Sequence, residues 1–185
     1  MKATLEKNKI WSDAALTELA DYVEECSFAI TKQLLPEINR SLGQLALSDN
    51  ENGSVLTDLK HAFMTFGFET EVHFIREKAM LIPYIRELDN YHRNGGSQPD
   101  IVLKGIDNPI SLMEYERYFA KKSFFKEVRS TLTECRNTQA YSDLIDNILE
   151  KLDELEEKMD EYFTLMNEFL LPKAIQTEIF IRGNI

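Results

Sequence analysis

Residues 73–88, HFIREKAMLIPYIREL, decide the fold of this chain. Their apolar residues recur at intervals of three and four, the spacing that places side chains on one face of an α-helix. Pro83 stands inside this pattern, where a missing N–H group and a steric clash bend or end a helix. His73 and Glu77 are four residues apart and so share one helix face. The stretch predicts a long, bent helix with a polar pair on one side.

The same local pattern, two large aliphatic residues followed by proline, occurs three times in the chain. The three copies are Leu34-Leu35-Pro36, Leu81-Ile82-Pro83 and Leu170-Leu171-Pro172. Because each proline falls in a helical pattern, we expect three helices to change direction at matching heights. The residues before these prolines are then expected at one level of the core.

Glycine and proline cluster at a few points and divide the chain into four helical tracts. Ser12 and Asp13 are candidate N-caps of the first tract, and Asn108-Pro109 opens the third. The tracts cover about residues 12–47, 55–91, 109–136 and 139–175. Tracts of similar length joined by short loops pack as an antiparallel up-down bundle. We therefore predict an all-α four-helix bundle at 12–175, an N-terminal extension at 1–11 and a C-terminal tail at 176–185.

The amino-acid composition excludes some classes of partner but does not identify a function. The 185 residues are 43% hydrophobic, enough for one continuous core. The 32 acidic and 21 basic side chains give a net charge of -11, which disfavours nucleic acids and anionic membranes. No signal peptide or membrane-spanning run is found, so a soluble, cytoplasmic protein is expected. Cys26 and Cys135 lack metal-binding or redox spacing and are predicted to be buried, free thiols.

Positions counted from the prolines predict one pocket in the core. His73 and Glu77 precede Pro83 by ten and six residues, and Tyr162 and Met166 precede Pro172 by the same intervals. Phe28 stands eight before Pro36, and Arg117 stands eight after Pro109. The predicted pocket residues are Phe28, His73, Glu77, Arg117, Tyr162 and Met166. The His–Glu pair is compatible with an iron or manganese site, or with a hydrogen-bonded core histidine beside an ion-paired glutamate.

Three longer segments carry a resemblance to a known family. They are HFIREKAMLIPYIREL (73–88), NPISLMEYERYFAKKSFFKEVR (108–129) and EKMDEYFTLMNEFLLPKAI (157–175). Together they resemble the hemerythrin-like domain, especially that of di-iron proteins that repair iron–sulfur clusters. Residues 19–38 are similar to the first helix of that domain.

The resemblance implies a metal site that has lost most of its ligands. Where the family places histidines this chain has Phe28, Arg117 and Tyr162, and where the family places the second glutamate it has Met166. His73 and Glu77 match the family pattern. Tyr22, Ser27 and Tyr115 also stand where such proteins often carry further histidines. We expect no metal cofactor and predict that Arg117 pairs with Glu77, with His73 and Tyr162 completing a buried network.

Three functions follow as alternatives. The preferred one is a non-catalytic binding or regulatory protein with an unknown protein partner or small ligand. Its candidate surfaces are the aromatic stretch of Tyr115, Tyr118, Phe119, Phe124 and Phe125, which also suits a core-facing role, and residues 179–181. The second is a metal-binding hemerythrin-like protein that uses iron or manganese in oxygen or nitric oxide sensing or in iron–sulfur repair. The third binds a small anion or small molecule in the bundle core.

The sequence defines neither a catalytic motif nor an oligomeric state. The histidines His61, His73 and His92 lack a serine or cysteine at a recognisable motif spacing, and no glycine-rich phosphate loop occurs. The sequence therefore favours a protein that is not an enzyme. A homodimer through an exposed helix face is compatible with the sequence.

Overall fold

Helices form almost the whole described part of the chain. The computed structural model describes residues 9–48, 52–97, 99, 109–136 and 141–183, and the side chains of 109–121 lie outside that description. Within these ranges there is no β-strand. The predicted all-α class is confirmed.

The described helices group into four tracts, three of which contain a π-helical segment. The first tract joins α1 (Leu16–Phe28), π1 (Ala29–Leu34) and α2 (Leu35–Ser48). The second joins α3 (Gly53–Arg76), π2 (Glu77–Leu81) and α4 (Ile82–Asn94). The third is α5 (Pro109–Cys135). The fourth joins α6 (Ser142–Thr164), π3 (Leu165–Leu170) and α7 (Leu171–Gly183).

Each π-helical segment ends two residues before one of the three repeated prolines. The N–H groups of Leu35, Ile82 and Leu171 bond to carbonyls five residues earlier, on Ile30, Glu77 and Met166. Proline lacks an N–H and crowds the carbonyl four residues before it, so a wider turn relieves the clash without ending the helix. The repeated aliphatic-aliphatic-proline pattern therefore marks three local widenings of continuous helical tracts.

The first long helix begins later than the sequence predicts. A helical turn at 9–13 contains Ser12 and Asp13, so neither residue caps α1. The Glu18 carboxylate instead accepts a bond of 2.7 Å from the Ala15 N–H. The Thr17 N–H donates to Asp89, 72 residues away, at 3.2 Å. The helix is capped partly by a tertiary contact, which a local sequence pattern does not reveal.

The segment predicted as a C-terminal tail, 176–185, is helical as far as Gly183. Ala174, Glu178 and Ile181 are buried at intervals of four and three residues, so one face of α7 continues into the protein interior. Burial of that face, including a charged residue, accounts for the longer helix.

The chain divides into two compact units. The first unit consists of Met1–Ser27, Phe74–Ser111 and Asp160–Ile185, and the second of Phe28–His73 and Leu112–Met159. In the first, Trp11 packs edge-on against Phe169 with ring centroids 5.5 Å apart. No helix in the described part is long and apolar enough to cross a membrane.

An aromatic cluster forms the centre of the second unit. Phe66 stacks on Phe124 with centroids 4.9 Å apart and meets Phe125 edge-on at 5.3 Å. Phe63 stacks on Phe124 at 6.3 Å. Phe124 and Phe125 therefore contribute to core packing. The sequence was compatible with this role and with a place on a binding surface.

Candidate functional site

A buried tyrosine and a glutamate meet in the first unit at two of the predicted pocket positions. Tyr162, on α6, is 1% exposed, and its hydroxyl donates a hydrogen bond to Glu77 Oε2 in π2. Phe74, one turn before Glu77, packs against the Tyr162 ring with centroids 4.6 Å apart. A carboxylate that accepts a bond from a buried hydroxyl is held in one orientation, because leaving either group unbonded is costly.

The π-helical segments help to place this pair. Glu77 is the first residue of π2, and Tyr162 lies one turn before π3. π-helical turns shift the side chains around them relative to a regular α-helix and are frequent at functional sites. Met166, the second residue of π3, is 1% exposed and belongs to the core of the same unit.

Phe28 does not lie in an enclosed core pocket. Its side chain is 59% exposed, and this corrects its predicted position. The buried face of the first tract at this height carries Cys26 and Ile30, four residues apart. Phe28 lies two residues from each, which on an α-helix points its side chain away from that face. The residue count from Pro36 therefore placed Phe28 on the wrong face of its own helix.

The two remaining pocket positions are His73 and Arg117. His73 is half-buried and belongs to the second unit. The side chain of Arg117 lies outside the described residues, so its predicted pairing with Glu77 stays a prediction. Of the six predicted positions, Glu77 and Tyr162 are in direct contact.

These residues do not fit a di-iron centre. Tyr162 directs its hydroxyl proton to Glu77, Met166 offers a soft thioether, and Phe28 offers no ligand atom. Among the described residues, no group of three or more histidine, cysteine, aspartate or glutamate side chains is placed to hold a metal ion.

A second polar centre in the first unit surrounds Asp89, which sequence reasoning missed. Asp89 is 5% exposed, and its Oδ2 accepts bonds from the Thr17 hydroxyl at 2.7 Å and the Thr17 N–H at 3.2 Å. Its Oδ1 accepts from Arg93 Nε at 3.0 Å. Asp89 thus caps α1 and pairs with a cation on its own helix. Its place directly after the apolar Leu88, on the inward side of the helical pattern, is the sequence signal that could have found it.

A cleft of about 380 Å³ opens beside Asp89. It is lined by Asp13, Ala14, Ala15, Leu16, Glu18, Asp89, His92, Arg93, Lys173 and Thr177. Lys173 donates to the carbonyls of Ser12 and Ala14, and Glu18 accepts from Ala15. Most of the charged groups that line the cleft therefore already form hydrogen bonds within the protein. These bonds connect the helices around the cleft and leave few charged groups for a ligand.

Tyr84 and Glu178 are two further buried polar residues of the first unit, 5% and 7% exposed. Burial and then the negative charge of Glu178 raise the pKa of Tyr84 to about 12. Glu178 is itself bonded by Arg182 one turn later on α7. Neither Tyr84 nor Glu178 was singled out by the sequence, because each lies in a segment whose polar residues resemble a solvent-facing set.

The structure also tests the predictions for the two cysteines, for His61 and His92 and for the surface at 179–181. Cys26 and Cys135 are buried and free, as predicted. His61 and His92 are exposed, and His92 packs edge-on against Phe180 at 5.3 Å. Within the predicted surface at 179–181, Ile179 and Phe180 are exposed and Ile181 is buried. The side chains of Tyr115, Tyr118 and Phe119 lie outside the described residues.

Comparisons with protein-family descriptions, with curated proteins and with solved structures found no match to this chain.

Proposed function

We propose that this chain is an antiparallel four-helix bundle of the hemerythrin-like kind that acts as a non-catalytic binding or regulatory protein. The observation that carries the proposal is the hydrogen bond from the buried Tyr162 to the half-buried Glu77. These two residues stand at positions where the resembled family has metal ligands, and here they bond to each other. The Tyr162 hydroxyl occupies one of the two carboxylate oxygens of Glu77, Oε2, at a position where the family has a metal.

The three π-helical segments support the same architecture. Each precedes a proline of the repeated motif, and the motif occurs once in the first, second and fourth tracts. A shared local distortion in three tracts is expected if they pack side by side at a common level. The partner of such a bundle is proposed to be another protein or a small ligand, with no metal cofactor.

Metal content tests the central part of the proposal. The protein is expressed with iron, manganese and zinc supplied, purified without chelator or affinity tag, and analysed by inductively coupled plasma mass spectrometry. We expect less than about a tenth of an equivalent of each metal per chain, because two or more good ligands are missing. Iron or manganese at about one equivalent or more, lost in Glu77→Ala, would contradict the proposal.

A gain-of-function variant tests the family resemblance separately. The substitutions Arg117→His, Tyr162→His and Met166→Glu restore the ligand types that the family places at these three positions, and Phe28 is kept because its side chain is exposed. If the bundle is hemerythrin-like, the variant should bind about two iron ions per chain while wild type does not. The matched control is the same variant with Glu77→Ala, and circular dichroism checks that each protein remains helical. A folded variant without iron would argue against the proposed alignment of the four tracts.

A further inference from the structure

Two large apolar side chains stand exposed on the outer face of α3 in the second unit. Met64 is 49% exposed and Phe68 is 68% exposed, and their spacing of four places them together on the helix. Phe63 and Phe66 of the same helix point into the aromatic cluster. The core is thus filled by other residues, and this pair is available for contact outside the chain.

Opposite charges lie on the same side of this apolar pair. Lys60 is four residues before Met64, and Glu71 is three residues after Phe68. At 100° per residue, Lys60 and Glu71 fall within about 20° of each other around the helix axis. Glu71 bonds to Lys32 at 2.7 Å through Oε1, and its side chain is still 42% exposed. A second cation can therefore reach its carboxylate.

We propose that this face of α3 binds the same face of a second copy of the chain. The two α3 helices run antiparallel, with Met64 of each copy against Phe68 of the other and Lys60 of each against Glu71 of the other. In an antiparallel pair of identical helices, every contact is centred on the same point of the helix. The centres of the Met64–Phe68 pair and the Lys60–Glu71 pair differ by about half a residue, which is less than 1 Å along the helix axis. A two-fold axis then makes every contact twice.

The charge pattern is the reason for choosing a second copy as the occupant. An acidic partner would suit Lys60 but not Glu71, and a basic partner would suit Glu71 but not Lys60. In antiparallel helix pairs the same side of each helix faces the other, so two charges of opposite sign on one side complement themselves. The net charge of -11 opposes association of two copies at long range, and at about 0.15 M salt screening reduces this repulsion while close pairs persist.

Analytical ultracentrifugation of the full chain at physiological salt tests the interface. We expect wild type to reach twice the chain mass as its concentration rises. Phe68→Glu should raise the dissociation constant of the dimer by at least about tenfold, because it places two carboxylates against apolar surface. Val55→Glu is the matched control, since Val55 is 51% exposed on the opposite side of the same helix. A wild type that stays monomeric, or a Phe68→Glu variant that dimerises unchanged, would overturn the proposal.

Charge reversal tests the antiparallel register itself. Lys60→Glu and Glu71→Lys should each weaken the dimer by about threefold to tenfold, because each places like charges opposite one another. The double variant Lys60→Glu/Glu71→Lys restores opposite charges across the interface and should recover wild-type association. Circular dichroism melts confirm that each variant is folded. Failure of the double variant to recover, with both single variants weakened, would rule out the proposed pairing.

Discussion

The two units of this protein are held together by different kinds of interior. In the first unit, Asp89, Glu178 and the Tyr162–Glu77 pair put charged or polar groups into buried positions, each with a defined partner. In the second, stacked phenylalanine rings lie in the core together with the buried Thr70, and the described ion pairs, such as Arg129 with Glu156 at 2.7 Å, are partly exposed.

This difference indicates where specificity and where stability originate. Apolar packing depends mainly on volume, so related side chains can replace one another at modest cost. Buried polar contacts depend on the exact partner, because a group left unbonded loses its solvation without compensation. The first unit is therefore expected to tolerate fewer substitutions at its buried polar positions, and the second is expected to provide more of the stability.

The largest expected effect on the free energy of unfolding comes from the aromatic cluster of the second unit. Phe63→Ala removes a ring that is 1% exposed and should lower the free energy of unfolding by about 3–5 kcal/mol. Val55→Ala, on the same helix and 51% exposed, is the matched control and should change it by less than about 1 kcal/mol. Urea denaturation followed by circular dichroism measures both. Similar losses for the two variants would show that the aromatic cluster is not a stabilising core.

Removing one hydroxyl tests the buried pair of the first unit. Tyr162→Phe keeps the ring but leaves Glu77 without this donor, and it should cost about 1.5–3 kcal/mol, the range for a bond to a charged group. Tyr22→Phe, at a partly exposed position, should cost less than about 0.5 kcal/mol.

A double-mutant cycle with Glu77→Ala separates the Tyr162–Glu77 bond from general packing losses. Additive effects of the two substitutions would mean that Tyr162 and Glu77 do not stabilise one another.

The tertiary cap of α1 should make a smaller contribution. Asp89→Ala removes the acceptor for Thr17 and the partner of Arg93, and we expect a loss of about 1–2 kcal/mol. Glu87→Ala, an exposed acidic position on the same helix, is the control. In the Asp89→Ala background, Thr17→Val should have little further effect. A full additional loss from Thr17→Val would show that the threonine acts independently of Asp89.

The smallest expected effect is a pH dependence in the alkaline range. The pKa of Tyr84 is raised from 10.0 to about 12 in the folded protein, so between these values the unfolded chain has released a proton that the folded chain retains. Unfolding is then favoured as pH rises, and the contribution of Tyr84 to stability, complete below pH 10, declines up to about pH 12.

Comparison of wild type with Tyr84→Phe isolates this contribution of Tyr84 from the titration of lysines. The difference in stability between the two proteins should shrink as pH rises from 9 to 11, within the window set by the Tyr84 pKa values. A difference that stays constant over this range would contradict the raised pKa.

The sequence predicted part of the candidate site. Counting from Pro83 and Pro172 brought Glu77 and Tyr162 to one contact, because the two tracts share the same distortion before proline. The same count failed for Phe28, since it fixes height along a helix but not rotation around it, and rotation depends on which neighbours cover each face.

The sequence by itself determined the helical class, the start of the third tract at Pro109, the burial of both cysteines and the three distortions before proline. These are local properties, set by apolar periodicity, by glycine and by the missing N–H of proline. Only the tertiary structure decided that Asp89 accepts hydrogen bonds from Thr17, 72 residues away, and that Lys173 donates to the carbonyls of Ser12 and Ala14. Such partners meet only when distant segments pack together, and no spacing along one segment encodes the distance between two.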